Sequence, residues 1–231
     1  MDRRTYMRSL AAGTGVGATV GTTGCLGVLG AGGAEGTVLG PPERDLSEAS
    51  HPSYGDEMPD FTVPDPITGE EVSVADFRGE RTLLWTSFYT NCPDGVCPAL
   101  ILRLRRAQEY AAEQEFGDEA AFLALTFDPE RDTADVLREY AGQRGVDLDA
   151  GNWHFLRPES YERGRELMDE EFGLVIEKRD ADEYQNIEYR FPHVGIILLA
   201  NEDGIVERVY PRGPRTDVER IVDDFERVVT A

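Results

Sequence analysis

Lysine is almost absent from this chain of 231 residues: Lys178 is the single example, and the 23 basic residues face 45 acidic ones. A net charge of −22 repels a polyanionic phosphate backbone, so a nucleic-acid binder is excluded. Such a surface repels itself in dilute buffer and is screened within about 3 Å in molar salt, which leads us to expect a very salty milieu. Cysteine and histidine are equally sparse, three of each: Cys25, Cys92 and Cys97, and His51, His154 and His193. There is no internal repeat, and no apolar run near the N-terminus long enough to span a bilayer.

The first 24 residues are set apart by their composition. Arg3-Arg4 precede a weakly apolar Gly/Ala/Thr/Val stretch, which resembles a twin-arginine export signal. It ends at Thr22-Thr23-Gly24-Cys25, where a small residue before cysteine resembles a lipoprotein cleavage box with Cys25 as the lipidated first residue. The expectation is a chain held by a lipid anchor on the extracytoplasmic face of the cell membrane. Residues 25–56, rich in Gly, Pro, Ser and Glu and without apolar periodicity, read as a flexible tether, in which His51 has no assigned role.

From residue 57 to 231, strand-like and helix-like patterns alternate, the signature of an α/β domain. Segments 59–63 and 71–74 read as an N-terminal hairpin, and 82–89 as a strand buried on both faces. A helix is expected from Pro98, with Leu100, Ile101, Leu104, Ala107, Gln108 and Ala111 as its inward stripe. Strands follow at 121–127, 153–156 and 174–177, with a helix capped by Asp132 or Thr133 that runs to about Gln143 and another over 160–172. Segment 187–191, a hairpin of 194–200 with 205–210, and a closing helix over 216–229 complete the chain. A dithiol between a central strand and its helix, and a strand hairpin before a last helix, make a thioredoxin-like plan: a central mixed sheet flanked by helices, extended by the N-terminal hairpin.

With Cys25 in the expected signal, Cys92 and Cys97 are the two cysteines of the folded part. They make either a redox dithiol, able to close to a disulfide, or two thiolate ligands for a soft metal. Positions five apart on a regular helix lie ~140° around the axis and ~7.5 Å along it, too far for one metal to bridge. Cys92 is therefore expected in the loop and Cys97 at the helix start, with Asp94-Gly95 forming a tight turn between them.

Three words in this domain are similar to those of the Sco family of copper-binding proteins of cytochrome oxidase assembly. They are Cys92-Pro93-Asp94-Gly95-Val96-Cys97-Pro98, Asp128-Pro129-Glu130-Arg131-Asp132-Thr133, and Tyr189-x-x-x-His193 followed by Glu202-Asp203-Gly204. The resemblance implies copper, as Cu(I) or Cu(II), held by Cys92, Cys97 and His193. It also implies, as partners, a copper-site subunit of a haem-copper oxidase and other copper or thiol-redox proteins. Asp128 is either an acid that orients the site or a turn aspartate, and His154 reads as a packed residue.

Two features depart from the family words. Four residues separate the cysteines where the family has three, and Pro192 replaces the usual acid before the histidine. Pro192 resembles the proline, often cis, before the substrate-facing strand of thioredoxins, a point in favour of thiol chemistry. Two functions are thus expected: a copper chaperone for an oxidase, or a thiol-disulfide oxidoreductase using Cys92 and Cys97, with Cys92 attacking. A peroxidase of the peroxiredoxin type lacks its P-x-x-x-T-x-x-C run before Cys92.

Overall fold

The computed structural model describes residues 33–184 and 187–231. The expected signal of residues 1–24 and the expected lipidation residue Cys25 lie outside the described residues. At the centre is a five-stranded mixed sheet in the order β5-β4-β3-β8-β9. Its strands are β3 (Thr82–Phe88), β4 (Ala120–Thr126), β5 (Trp153–Leu156), β8 (Ile197–Ala200) and β9 (Val206–Tyr210). β3, β4 and β5 run parallel, while β8 is antiparallel to both β3 and β9. Every residue of β3 and of β4 is buried, the reason their sequences run apolar without alternation.

The helices are α1 (Val96–Glu113), α2 (Ala134–Arg144), α3 (Tyr161–Glu170) and α4 (Val218–Val229). α1 packs on β3 and β4 and against α4 through the stripe that includes Leu100, Ile101, Leu104, Ala107 and Ala111, all fully buried. Beyond the C-terminus of α3, Phe172 stacks on Trp85 of β3 with ring centres 4.0 Å apart and meets Phe61 edge-on. The hairpin of β1 (Thr62–Asp65) and β2 (Glu70–Ser73) forms as expected, with Val63 opposite Val72 and β1 lying against β5. Together these make a thioredoxin-like α/β fold.

Several local expectations are corrected. α1 starts at Val96, not Pro98, because Gly95 turns the chain and proline is tolerated anywhere in a first turn, where its missing N–H has no partner to lose. Segment 174–177 forms no strand; it is tied instead by Tyr161, whose hydroxyl donates to the Ile176 carbonyl and accepts from Lys178 N–H. The pairing falls one step later, between β6 (Arg179–Asp180) and β7 (Tyr189–Arg190). Every described peptide bond is trans, that before Pro192 included.

The largest correction concerns residues 33–56, part of the stretch 25–56 expected to be a flexible tether. From Gly33 onward this stretch is a strap docked on the open side of β9. Val38 and Leu39 donate their N–H groups to the two carboxylate oxygens of buried Glu207, at 2.7 and 2.8 Å. Asn201 holds the same carboxylate and the Gly36 carbonyl with its amide. Leu39 is 1% exposed, Tyr54 donates its hydroxyl to the Leu39 carbonyl, and Gly55 and Asp56 exchange backbone hydrogen bonds with Val206. A docked strap covers an edge strand that would otherwise present free N–H and C=O groups.

Candidate metal centre

β3 delivers the chain to the site. After Phe88 and buried Tyr89 the backbone turns through Thr90-Asn91, and Gly95 takes a left-handed conformation, φ 71°, as the residue preceding α1. Gly95 cannot cap the helix with a side chain, and the Cys92 sulfur stands in: Cys97 N–H donates to it at 3.4 Å. Cys92 is thus in the loop and half-buried, and Cys97 is in the first turn and fully buried, as the spacing demands. Both thiols are free in this structure.

The two sulfurs have opposite acidities. Cys92 is lowered to about 6, first by the Cys97 thiol donating to it and then by the N–H groups of Cys97, Asp94 and Val96, against the opposing effect of burial. Cys97 is pushed well above the ordinary thiol range, first by burial and then by its hydrogen bond and proximity to Cys92. In the metal-free protein near neutral pH, Cys92 is therefore the thiolate and Cys97 the thiol.

His193 enters from the segment before β8. Its Nδ1 lies 2.7 Å from the carbonyl oxygen of Phe191; since a carbonyl only accepts, Nδ1 carries the proton and Nε2 presents a lone pair. That Nε2 lies 3.7 Å from the Cys97 sulfur. The ring sits edge-on to Phe127 at 4.8 Å and to Tyr89 at 6.0 Å, and burial lowers its pKa, which keeps the imidazole neutral. Gly195 permits the approach, because a Cβ there would lie 3.0 Å from Val96 Cγ1 at the start of α1.

Among the described residues, no three His, Cys, Asp or Glu side chains stand close enough as placed to hold a metal ion. The three expected ligands meet pairwise through Cys97, which faces Cys92 on one side and His193 on the other.

The aspartates of the second word divide their roles. Asp128 is fully buried and accepts from the Tyr189 hydroxyl at 2.9 Å, with Arg131 Nε 3.7 Å away. It thereby fixes β7, two residues before the carbonyl that orients His193, and burial raises its pKa. Asp132, expected as a candidate helix cap, does something else, since Thr133 caps α2. Its buried carboxylate accepts from Thr90 N–H at 3.2 Å and from the hydroxyls of Thr90 and Thr126, pinning the cysteine loop to β4. Burial raises it to about 6 in spite of those donors. The flanking Thr90 and Thr126 were the available signal. Tyr184 adds a second tie, donating to Asp94 in the cysteine loop.

His154 stays apart, on β5, with Nδ1 3.5 Å from Asp65 and its ring against Phe77. His51 meets the Pro52 carbonyl in the strap.

A thioredoxin-like sheet with a dithiol at the head of the helix after its central strand, and an imidazole brought against the inner thiol, defines a thioredoxin-like dithiol–imidazole protein. The family model described as SCO1/SenC matches residues 51–230, and the chain belongs to that family. Among solved structures it is similar to a SCO1/SenC family lipoprotein from Bacillus anthracis, with 21% identity, TM-score 0.60, and 75% of this chain and 95% of that one covered. It is similar to BsSco, a member of the Sco family of cytochrome c oxidase assembly proteins in which a disulfide switch was identified (22%, 0.59, 78% and 96%). It is also similar to ScoI of Arabidopsis thaliana, solved with copper bound (20%, 0.57, 75% and 99%). No curated protein matches the chain.

Proposed function

We propose that the protein is a copper chaperone, anchored to the extracytoplasmic face of the membrane through Cys25, that serves the copper site of a haem-copper oxidase. The contact between Cys97 Sγ and His193 Nε2 at 3.7 Å carries the proposal: two soft sulfurs and a neutral imidazole with an open lone pair are a donor set suited to copper, above all Cu(I). Cys97 is the shared member, so a turn of the half-buried Cys92 side chain toward His193 completes the set around the metal cargo. The copper-bound Arabidopsis relative supports copper, and the place of BsSco among cytochrome c oxidase assembly proteins supports the client. The twin-arginine and lipobox words support the location, and the charge of −22 supports a salty one. Anaerobic titration of the reduced chain with Cu(I) against a competing chelator tests the site. One copper per chain is expected, lost in Cys92→Ser and in Cys97→Ser.

The acidities of the two thiols favour a second reading, a thiol-disulfide oxidoreductase. The Cys92 thiolate attacks a substrate disulfide, forming a mixed disulfide and releasing one substrate thiolate, which takes a proton from solvent. Cys97 then gives up its proton and attacks Cys92 Sγ, forming the Cys92–Cys97 disulfide and releasing the second thiol, so two electrons pass to the substrate. Such an enzyme keeps most of its activity in His193→Ala, whereas the chaperone loses tight copper binding.

A further inference from the structure

Between the strap and β9 lies a cavity of about 620 Å³, lined by neither cysteine and within the size range of small-molecule sites. Four arginines line it, Arg44 from the strap, Arg208 and Arg212 from β9 and the turn after it, and Arg220 from α4, against two acids, Glu43 and Asp45. In a chain with a net charge of −22, this is a local reversal of sign. Among the described residues, the side chains of Arg44, Arg212 and Arg220 have no hydrogen-bond or ion-pair partner, though acids abound on this protein. Arg208 is 9% exposed, donates one N–H to the Glu207 carbonyl and has only a loose ion pair with Asp224, at 3.8 Å. Guanidinium forks match the oxygens of a phosphate. Leu46, Tyr54, Val209 and Pro211 give the wall an apolar part, beside the hydroxyl residues Ser47, Ser53 and Thr216.

We propose that this cavity binds a phosphate monoanion or diester that carries an apolar body, as an anionic phospholipid does. The lipid as source rests on the anchored reading above: seven residues separate Cys25 from Gly33, a reach of at most about 29 Å, which would hold the strap and its cavity near the bilayer. The arginines would take the headgroup, and the apolar wall the glycerol and the start of the acyl chains.

Calorimetric titration of the full, reduced chain with dihexanoyl phosphatidylglycerol below its micellar concentration tests this, in molar salt so that the global charge is screened to about 3 Å. Saturable one-to-one binding, at least tenfold weaker in the double variant Arg212→Gln/Arg220→Gln with an unchanged melting temperature, is the expected result. Absence of saturable binding, equal affinity in the double variant, or equal binding of dihexanoyl phosphatidylcholine would overturn it. Glycerol phosphate binding as tightly as the lipid would overturn the lipid source in favour of a soluble phosphoester. The mass of membrane-extracted protein reads lipidation of Cys25 separately, and the Cu(I) titration reads the metal site, so failure of either is distinguishable from failure here.

Discussion

His193 holds its Nε2 lone pair toward the Cys97 sulfur because its Nδ1 proton is committed to the Phe191 carbonyl two residues back. One backbone carbonyl thus chooses the tautomer that a metal needs, and the aromatic wall of Phe127 and Tyr89 keeps the ring unprotonated and aimed.

Under the copper proposal, replacing His193 by alanine removes a ligand and not merely an outer partner. Cu(I) affinity should fall by more than the roughly 100-fold upper end that loss of an outer partner costs. Circular dichroism should report the same fold. Competition titration against a Cu(I) chelator measures the change.

Cys92 should be the reactive thiol of the copper-free reduced chain. Its pKa is lowered to about 6, so the thiolate is present above that value and is lost as pH falls through it. Alkylation by iodoacetamide, followed by mass spectrometry, should show Cys92 reacting with a half-point near pH 6. Cys97, buried and raised, should stay unmodified at neutral pH. Equal labelling of both thiols at neutral pH would contradict the acidities described.

Asp132→Ala should loosen the site from behind. Thr126 would lose the acceptor for a buried hydroxyl, a loss of about 1–3 kcal/mol, and the half-buried Thr90 would lose its partner as well. Denaturant unfolding measures this, and copper affinity should fall by roughly 10–100-fold because the cysteine loop is no longer pinned. Asp128→Asn should have a milder effect, since an amide oxygen can still accept from the Tyr189 hydroxyl.

The plan of the fold was legible because central strands and amphipathic helices print themselves as period. Thr82–Phe88 has no polar face to alternate with, and the stripe of α1 recurs every three or four residues. Loop and helix-start positions for the cysteines followed from helix geometry alone, and Gly95 absorbs the spacing as expected. What escaped was whatever is held by backbone groups. The strap carries no apolar period because it docks through two N–H groups on one carboxylate, Glu207, 168 residues away from Leu39. Asp132 escaped for a related reason: an aspartate before a helix reads as its cap, and only the fold shows that Thr90 and Thr126 claim its oxygens.

Glu207→Ala tests the strap. Val38 and Leu39 N–H groups would lose their charged acceptor, worth about 1.5–3 kcal/mol per hydrogen bond to a charged group. Limited proteolysis should begin to cut within residues 33–56, with Cu(I) affinity unchanged, because the strap and the cysteines are on different parts of the sheet.

Most direct of all is X-ray absorption on the Cu(I)-loaded reduced chain beside its His193→Ala variant. Two sulfur scatterers and one nitrogen are expected, with the nitrogen lost in the variant and its affinity reduced. A spectrum unchanged by the substitution, or a chain that binds no copper with both thiols reduced, would contradict the assignment of Cys92, Cys97 and His193 as one metal site.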